Sequence, residues 1–149
     1  MCGITGFFSK KSNNNFEKEK IISKMTSVLF HRGPDSCGIW TDNENNIAFG
    51  HRRLSILDLS EAGHQPMISD NNRYILIFNG EIYNHLKLRE IIKKESNKNI
   101  IWRGHSDTET ILKSIENFGI EKTLKLILGM FAIAVWDKQN KTLTLARDR

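Results

Sequence analysis

Tyr74-Ile75-Leu76-Ile77-Phe78-Asn79-Gly80-Glu81-Ile82-Tyr83-Asn84 is the stretch on which the reading of this chain turns. Tyr74 to Phe78 is apolar throughout, which predicts a buried strand. An Asn-Gly pair at the end of a strand ordinarily makes a turn. Here Ile82-Tyr83 follows instead, and then a helix capped by Asn84 with Leu88, Ile91 and Ile92 on its face. Asn79 supplies a side-chain amide donor and Gly80 exposes a backbone N–H. Two donors converging about 2.7–3.1 Å from a developing negative charge make an oxyanion hole.

The segments around this strand come as hairpin-like neighbours. Gly3 to Phe8 predicts a short strand whose glycines permit close backbone approach. Ser36–Thr41 and Asn46–Gly50 predict two strands joined by the turn Asp42-Asn43-Glu44-Asn45. Met130–Asp137 and Thr142–Ala146 predict another hairpin around Lys138-Gln139-Asn140-Lys141. Ile100-Ile101-Trp102 is expected as a further short strand. Between them, Phe16–Phe30 predicts an amphipathic helix with Ile21, Met25, Val28 and Leu29 on its buried face. Ser12 to Asn15 offer its N-cap. Ser106…Glu109 has the spacing of a capping box opening a helix that ends at Gly119, and Glu121–Leu128 predicts a shorter one. Strand and helix do not alternate as a parallel sheet requires, so the expected class is α+β.

Composition narrows the function classes. At 149 residues and 39% hydrophobic, one domain is the default. The net charge of +5 comes from lysines scattered beside Glu and Asn, with no interleaved aromatics. That pattern predicts a solvated surface and argues against single-stranded nucleic acid as a partner. The longest apolar run, Met130 to Trp136, is far short of the ~20 residues of a membrane span. No signal peptide precedes Ser9-Lys10-Lys11, so reduced thiols and a cytoplasmic location are expected for Cys2 and Cys37. Cys37 reads as a small buried thiol. The five His and two Cys have no spacing of zinc type, so no metal is expected.

Cys2 is the candidate nucleophile. Removal of Met1 would put a thiol and a free α-amine on one residue, the arrangement in which an N-terminal residue activates itself. Arg53, beside Arg52 among apolar residues, reads as a bidentate clamp on a carboxylate, as half of a surface pair, or as a salt bridge to Asp58 or Glu61. Asp107 sits in a first helical turn, where the dipole alone explains a carboxylate. Its other reading is a partner for a substrate ammonium. The turn His31-Arg32-Gly33-Pro34-Asp35 reads as structural.

Taken together, Cys2-Gly3-Ile4-Thr5-Gly6, the His31 to Asp35 turn, Arg53-Leu54-Ser55-Ile56 and Asn79-Gly80-Glu81-Ile82-Tyr83-Asn84 resemble the class II glutamine amidotransferases. Gly104-His105-Ser106-Asp107-Thr108-Glu109 and Gly129-Met130-Phe131-Ala132 add to the resemblance. Within that group of N-terminal-nucleophile hydrolases, the chain is most similar to the glutaminase domains of glutamine-hydrolysing asparagine synthetases. The resemblance implies a four-layer αββα sandwich of two antiparallel sheets. It implies Cys2 as nucleophile with its α-amine as base, and Asn79 and Gly80 as oxyanion hole. It implies Arg53 on the glutamine α-carboxylate, Asp107 with Glu81 on the α-ammonium, and the backbone of Leu54, Ser55, Ile56 and Leu57 along the pocket. The reaction implied is glutamine hydrolysis through a cysteinyl thioester, with ammonia passed to a synthetase domain or subunit. Other branches of the group, making amino sugars, polysaccharides or nucleotide precursors, share this chemistry.

The sequence stops at Ala146-Arg147-Asp148-Arg149, where the resemblance implies further strands and then an ATP-using domain. Residues 1–149 are therefore expected to form one partial domain with an unpaired sheet edge and exposed core. An inactive truncated fragment is the alternative of another class. ATP and Mg2+ are expected only for the missing synthetase part, and a homodimer only for the full-length enzyme.

Overall fold

The computed structural model describes residues 2–9, 15–56, 58–96 and 99–149. The proposed helix-cap residues 12–14 and the pocket residue Leu57 lie outside them, as does Met1. Seven strands and four helices follow in the order β1 (Gly3–Phe8), α1 (Asn15–Val28), β2 (Ser36–Asp42), β3 (Ile47–Arg53), β4 (Met67–Ile68), β5 (Tyr74–Ile82), α2 (His85–Glu95), α3 (Asp107–Phe118), α4 (Ile120–Leu126), β6 (Gly129–Asp137) and β7 (Thr142–Arg147).

The strands form two antiparallel sheets, one ordered β1-β3-β2 and the other β4-β5-β6-β7. The class is α+β, as the hairpin-like spacing predicts. Ile47 and Phe49 of β3 face Ile75, Ile77, Ala134 and Trp136 of β5 and β6, forming a core between the sheets. A second core lies on the far side of β5 and β6. There Leu76, Phe78, Ile133 and Val135 meet Leu88 and Ile92 of α2 and Ile111, Leu112 and Ile115 of α3. Helix α1 covers the outer face of the first sheet. The order α1, sheet, sheet, α2–α4 is an αββα sandwich. Alternation explains how β5 serves both cores: odd residues face one sheet and even residues face the helices. Phe8 of β1 and Leu145 of β7 stand exposed beside an apolar groove between the sheets, and β7 is a sheet edge among the described residues. No described helix is long and apolar enough to cross a membrane.

Four local expectations are corrected. In α1 the buried face is Lys18, Ile22 and Thr26, while Ile21 and Val28 are 40% and 73% exposed. The reason is Lys18: its ammonium donates to the carbonyls of Asn43 at 3.0 Å and Asp42 at 3.4 Å, so its aliphatic stem lies inward over the β2–β3 turn. Ile100-Ile101-Trp102 is not a strand. Side chains hold this segment: the Arg89 guanidinium stacks 3.9 Å from the Trp102 ring centre, and the Glu109 carboxylate accepts the Arg103 and Gly104 N–H groups at 2.7 and 3.0 Å. The capping box at α3 is therefore half-formed. Ser106 Oγ accepts the Glu109 N–H at 3.2 Å, while Glu109 reaches outward to the preceding loop. Cys37 is exposed rather than buried; both it and Cys2 are free thiols.

Candidate active site

A cleft opens where the ends of β1, β3 and β5 meet the N-terminus of α3. Cys2, Arg53, Leu54, Ile56, Gly80, Glu81 and Asp107 all line it, although they are scattered over a hundred residues of sequence. The Asn79-Gly80 pair does not turn. Strand β5 runs through it to Ile82, paired with β6 at Asn79↔Ala132 and Gly80↔Phe131. Gly80 has φ 154°, and a β-carbon there would lie 2.1 Å from the Met130 carbonyl oxygen. Only glycine lets the two strands close up at this point.

On the first-sheet side, the Cys2 sulfur accepts the Leu54 N–H at 3.3 Å and lies 3.6 Å from the Leu54 carbonyl oxygen. The carbonyl of Cys2 accepts from Arg32 at 3.4 Å. The turn from His31 to Asp35 thus braces the nucleophile candidate, which is the structural role expected of it. Asp35 takes the Ser55 N–H on its carboxylate at 2.7 Å and donates its own N–H to the Arg53 carbonyl at 3.0 Å. Gly33 packs under this corner, where a β-carbon would meet the Arg52 carbonyl at 2.5 Å.

Arg53 is 8% exposed. Its guanidinium donates to the Ser60 carbonyl at 2.8 Å and to the Asp58 carbonyl, and lies against Gly63. It carries no ion pair among the described residues. Of the other readings open for Arg53, a surface pair does not fit its burial, and Asp58 meets it through the backbone carbonyl rather than as a salt bridge. The Asp58 carboxylate is occupied elsewhere: it accepts the Ser60 hydroxyl at 2.6 Å and the His105 N–H at 2.8 Å. Those bonds hold its pKa at about 2.

On the opposite wall, Asp107 is 6% exposed. Its carboxylate accepts the N–H groups of Ile82 and Thr108, both at 2.9 Å. Burial is the larger effect and raises its pKa above the ordinary carboxylate range, although both N–H groups oppose this. Asp107 thus ties the end of β5 to the start of α3, a job beyond that of a helix-dipole carboxylate.

Two residues differ from expectation. Ser55 does not line the cleft; its N–H is used by Asp35. Asn79 does not line it either, and its side-chain oxygen is buried without a hydrogen-bond partner. Several lining residues escaped sequence reasoning, among them Gln65, Phe78, Ser106, Thr108 and Met130. Gln65-Pro66, a polar residue before proline in a loop, was the only signal for the first, and many surface loops carry it. Among the described residues no cluster of His, Cys, Asp and Glu has the geometry of a metal site.

This constellation places a thiol, a guanidinium, a buried carboxylate and a glycine backbone around one small cleft. The chain belongs to the glutamine amidotransferase domain family, whose model matches residues 1–149. It is 40% identical over 149 residues to asparagine synthetase [glutamine-hydrolyzing] 1 of Bacillus subtilis, covering 99% of this chain and 22% of that protein. It is 39% identical over 168 residues to a putative asparagine synthetase [glutamine-hydrolyzing] 2 of Methanocaldococcus jannaschii, covering 100% of this chain and 30% of the relative. The chain thus spans less than a third of these curated relatives. Among solved structures, the glutamine phosphoribosylpyrophosphate amidotransferase of B. subtilis, complexed with ADP and GMP, superimposes with a TM-score of 0.69 at 21% identity. The match covers 99% of this chain and 36% of that one, and it shows a shared fold.

Proposed function

We propose that the cleft hydrolyses the side-chain amide of glutamine, and that the observation carrying this reading is the assembly of Cys2, Arg53, Gly80 and Asp107 around one cavity. A zwitterionic amino acid needs a cation for its carboxylate and an anion for its ammonium. Arg53 and Asp107 supply them from opposite walls, with Glu81 at the rim on the ammonium side. The backbone of Leu54 and Ile56 lines the wall between Arg53 and the thiol.

In the reaction, the Cys2 sulfur attacks the amide carbon and its proton passes to the Cys2 α-amine, freed by removal of Met1. The oxyanion is held by the Gly80 N–H and the Asn79 side-chain amide. Asn79 needs to swing toward the cleft for this, and its unsatisfied oxygen leaves it little to lose. The carbon–nitrogen bond breaks, the proton goes to the leaving nitrogen, and ammonia departs. Water then attacks the thioester carbon, and glutamate leaves as the thiol regains its proton.

The names of the relatives, asparagine synthetases of the glutamine-hydrolysing kind, support asparagine synthesis as the use of the ammonia; the acceptor we infer is aspartate, in an ATP- and Mg2+-dependent step assigned to a synthetase domain or subunit rather than to these residues. Steady-state ammonia release from glutamine, with Cys2→Ala alongside, tests the reading. The wild type releases ammonia and the variant does not; equal release by both rules out Cys2 as nucleophile. Mass spectrometry of the purified protein reports whether Met1 has been removed, and molecules retaining Met1 are expected to be inactive.

A further inference from the structure

Gln65 lines the cleft but has no part in the steps above. It is 4% exposed, and its carboxamide is shared between two elements. Oε1 accepts the Phe78 N–H at 2.6 Å, and Nε2 donates to Thr108 Oγ1 at 3.1 Å. A backbone N–H is only a donor, so the oxygen must face Phe78, and the orientation of the amide is settled. The bond is needed because, among the described residues, β4 pairs with β5 only at Leu76 and Ile75, leaving the same edge of β5 without a strand from Phe78 onward. On that edge the Phe78 carbonyl is met by His51 Nε2 at 3.1 Å. Phe78 is therefore gripped at both backbone groups by side chains. Asn79 and Gly80 follow it directly, and β-alternation returns the Gly80 N–H to the edge that Phe78 uses. At the other arm, Thr108 follows Asp107.

We propose that Gln65 is a positioning residue that fixes the distance between the oxyanion donors at Asn79-Gly80 and the ammonium-binding carboxylate of Asp107. This rests on the glutamine reaction proposed above. The substrate spans those two points with a chain of fixed length, and a misplacement of about 1 Å at a reacting centre costs about 100-fold in rate. One rigid carboxamide bonded to both elements holds the gap constant. Its two arms have separable effects. The Thr108 arm acts on binding of the substrate's ammonium, which is present in ground and transition states alike. The Phe78 arm acts on the oxyanion donors, which matter only in the transition state.

The test is glutamine hydrolysis by the full chain as wild type, Thr108→Val, Thr108→Ser and Gln65→Met, with thermal unfolding and the rate of Cys2 alkylation by iodoacetamide measured on each. Thr108→Val is expected to raise KM about 3- to 10-fold with kcat within about twofold, and Thr108→Ser to restore KM, since it restores the hydroxyl. Gln65→Met, close in shape but without either bond, is expected to raise KM and also lower kcat about 10- to 100-fold. Alkylation, which uses no oxyanion hole, stays within about twofold throughout. Unchanged kcat and KM in Gln65→Met, or loss of thermal stability alone, overturns the inference, as does alkylation falling in step with kcat. If Gln65→Met does not fold, the Thr108 pair decides: no rise in KM for the valine variant, or no rescue by serine, overturns it. A wild type that releases no ammonia overturns the glutamine reading itself, and is told apart because the variants are compared only with an active parent.

Discussion

Arg73 and Arg53 are both held by the strands of this fold, yet they are neutralised in opposite ways. Arg73, the residue just before β5, makes two parallel bonds to the Asp137 carboxylate at 3.0 and 2.7 Å. Burial pushes the Asp137 carboxyl up, but Arg73 and the N–H groups of Asn140 and Gln139 together hold its pKa below the usual range. The pair joins β5 to the β6–β7 turn and leaves no charge to spare. Arg53 is the more buried of the two, and among the described residues it donates its hydrogen bonds to carbonyl oxygens alone, with the Asp58 carboxylate near enough to feel its charge but not paired with it. Asp107, across the cleft from it, meets only N–H groups. Dipoles satisfy hydrogen-bonding capacity without cancelling the net charge, so each wall keeps its field for a ligand of opposite sign. Elsewhere among the described residues, Lys113 pairs with Asp70 and Arg89 with Glu109. The cleft departs from that habit: among the described residues, neither Arg53 nor Asp107 has an ion-pair partner.

Substitution is the sharpest way to break this contrast. Arg53→Met and Asp107→Asn are each expected to raise the KM for glutamine about 100-fold or more, because each leaves one end of a zwitterion uncompensated in a buried site. Arg73→Met should leave KM within about twofold and instead lower the melting temperature by a few degrees, roughly the scale of a part-exposed ion pair. A melting-temperature loss in Arg53→Met with an unchanged KM would show the two arginines to be alike.

Acidification sharpens the contrast from the ligand's side. Protonated Asp107 is neutral and does not hold an ammonium. Its pKa is raised by burial, so KM is expected to climb as pH falls, and to begin doing so above the pH at which an ordinary aspartate titrates. Asp107→Asn should have a high KM at every pH, with that acid limb gone from its profile.

Stability carries a separate pH signature from the residue that joins the sheets beside the cleft. Burial lowers the His51 pKa from 6.5 to about 4, with only the bond to the Phe78 carbonyl opposing it. Between those values the unfolded chain binds a proton that the folded chain refuses. Unfolding free energy is therefore complete above about pH 6.5 and falls by about 3 kcal/mol as pH drops to about 4. His51→Gln, which keeps a donor for the Phe78 carbonyl, should flatten urea-derived stability over this window. A slope equal to that of the wild type would exclude His51 as its source.

Legibility in the sequence followed the range of the interactions. The hairpin turns at Asp42 to Asn45 and Lys138 to Lys141, the Ser106 cap and the Tyr74–Phe78 strand all rest on neighbours within a few positions, and all were readable. The buried face of α1 is not legible locally, because a lysine in a helix ordinarily faces solvent, whereas Lys18 finds carbonyls some 25 positions further along the chain. The strand expected at Ile100 to Trp102 is absent for the same reason: Arg89 stacks on the Trp102 ring and bonds the Gly104 carbonyl, and Glu109 takes the Arg103 N–H, from two different helices. Glu81, Arg53 and Asp107 were legible as residue types in a pattern. The bracing of Cys2 by Leu54 and Arg32, and the bridge through Gln65, had no local signal.

What this sequence determined by itself is its set of elements, its class and the residues capable of the chemistry, since hydrophobic period, turn residues and motif spacing are local properties of the chain. What only the tertiary structure decided is which charges stay unpaired. Arg53 and Arg73 are the same residue in similar strand-end settings. Asp137 faces one of them, while among the described residues the other donates to the carbonyls of Ser60 and Asp58. That difference depends on which elements pack side by side, and no stretch of sequence contains it.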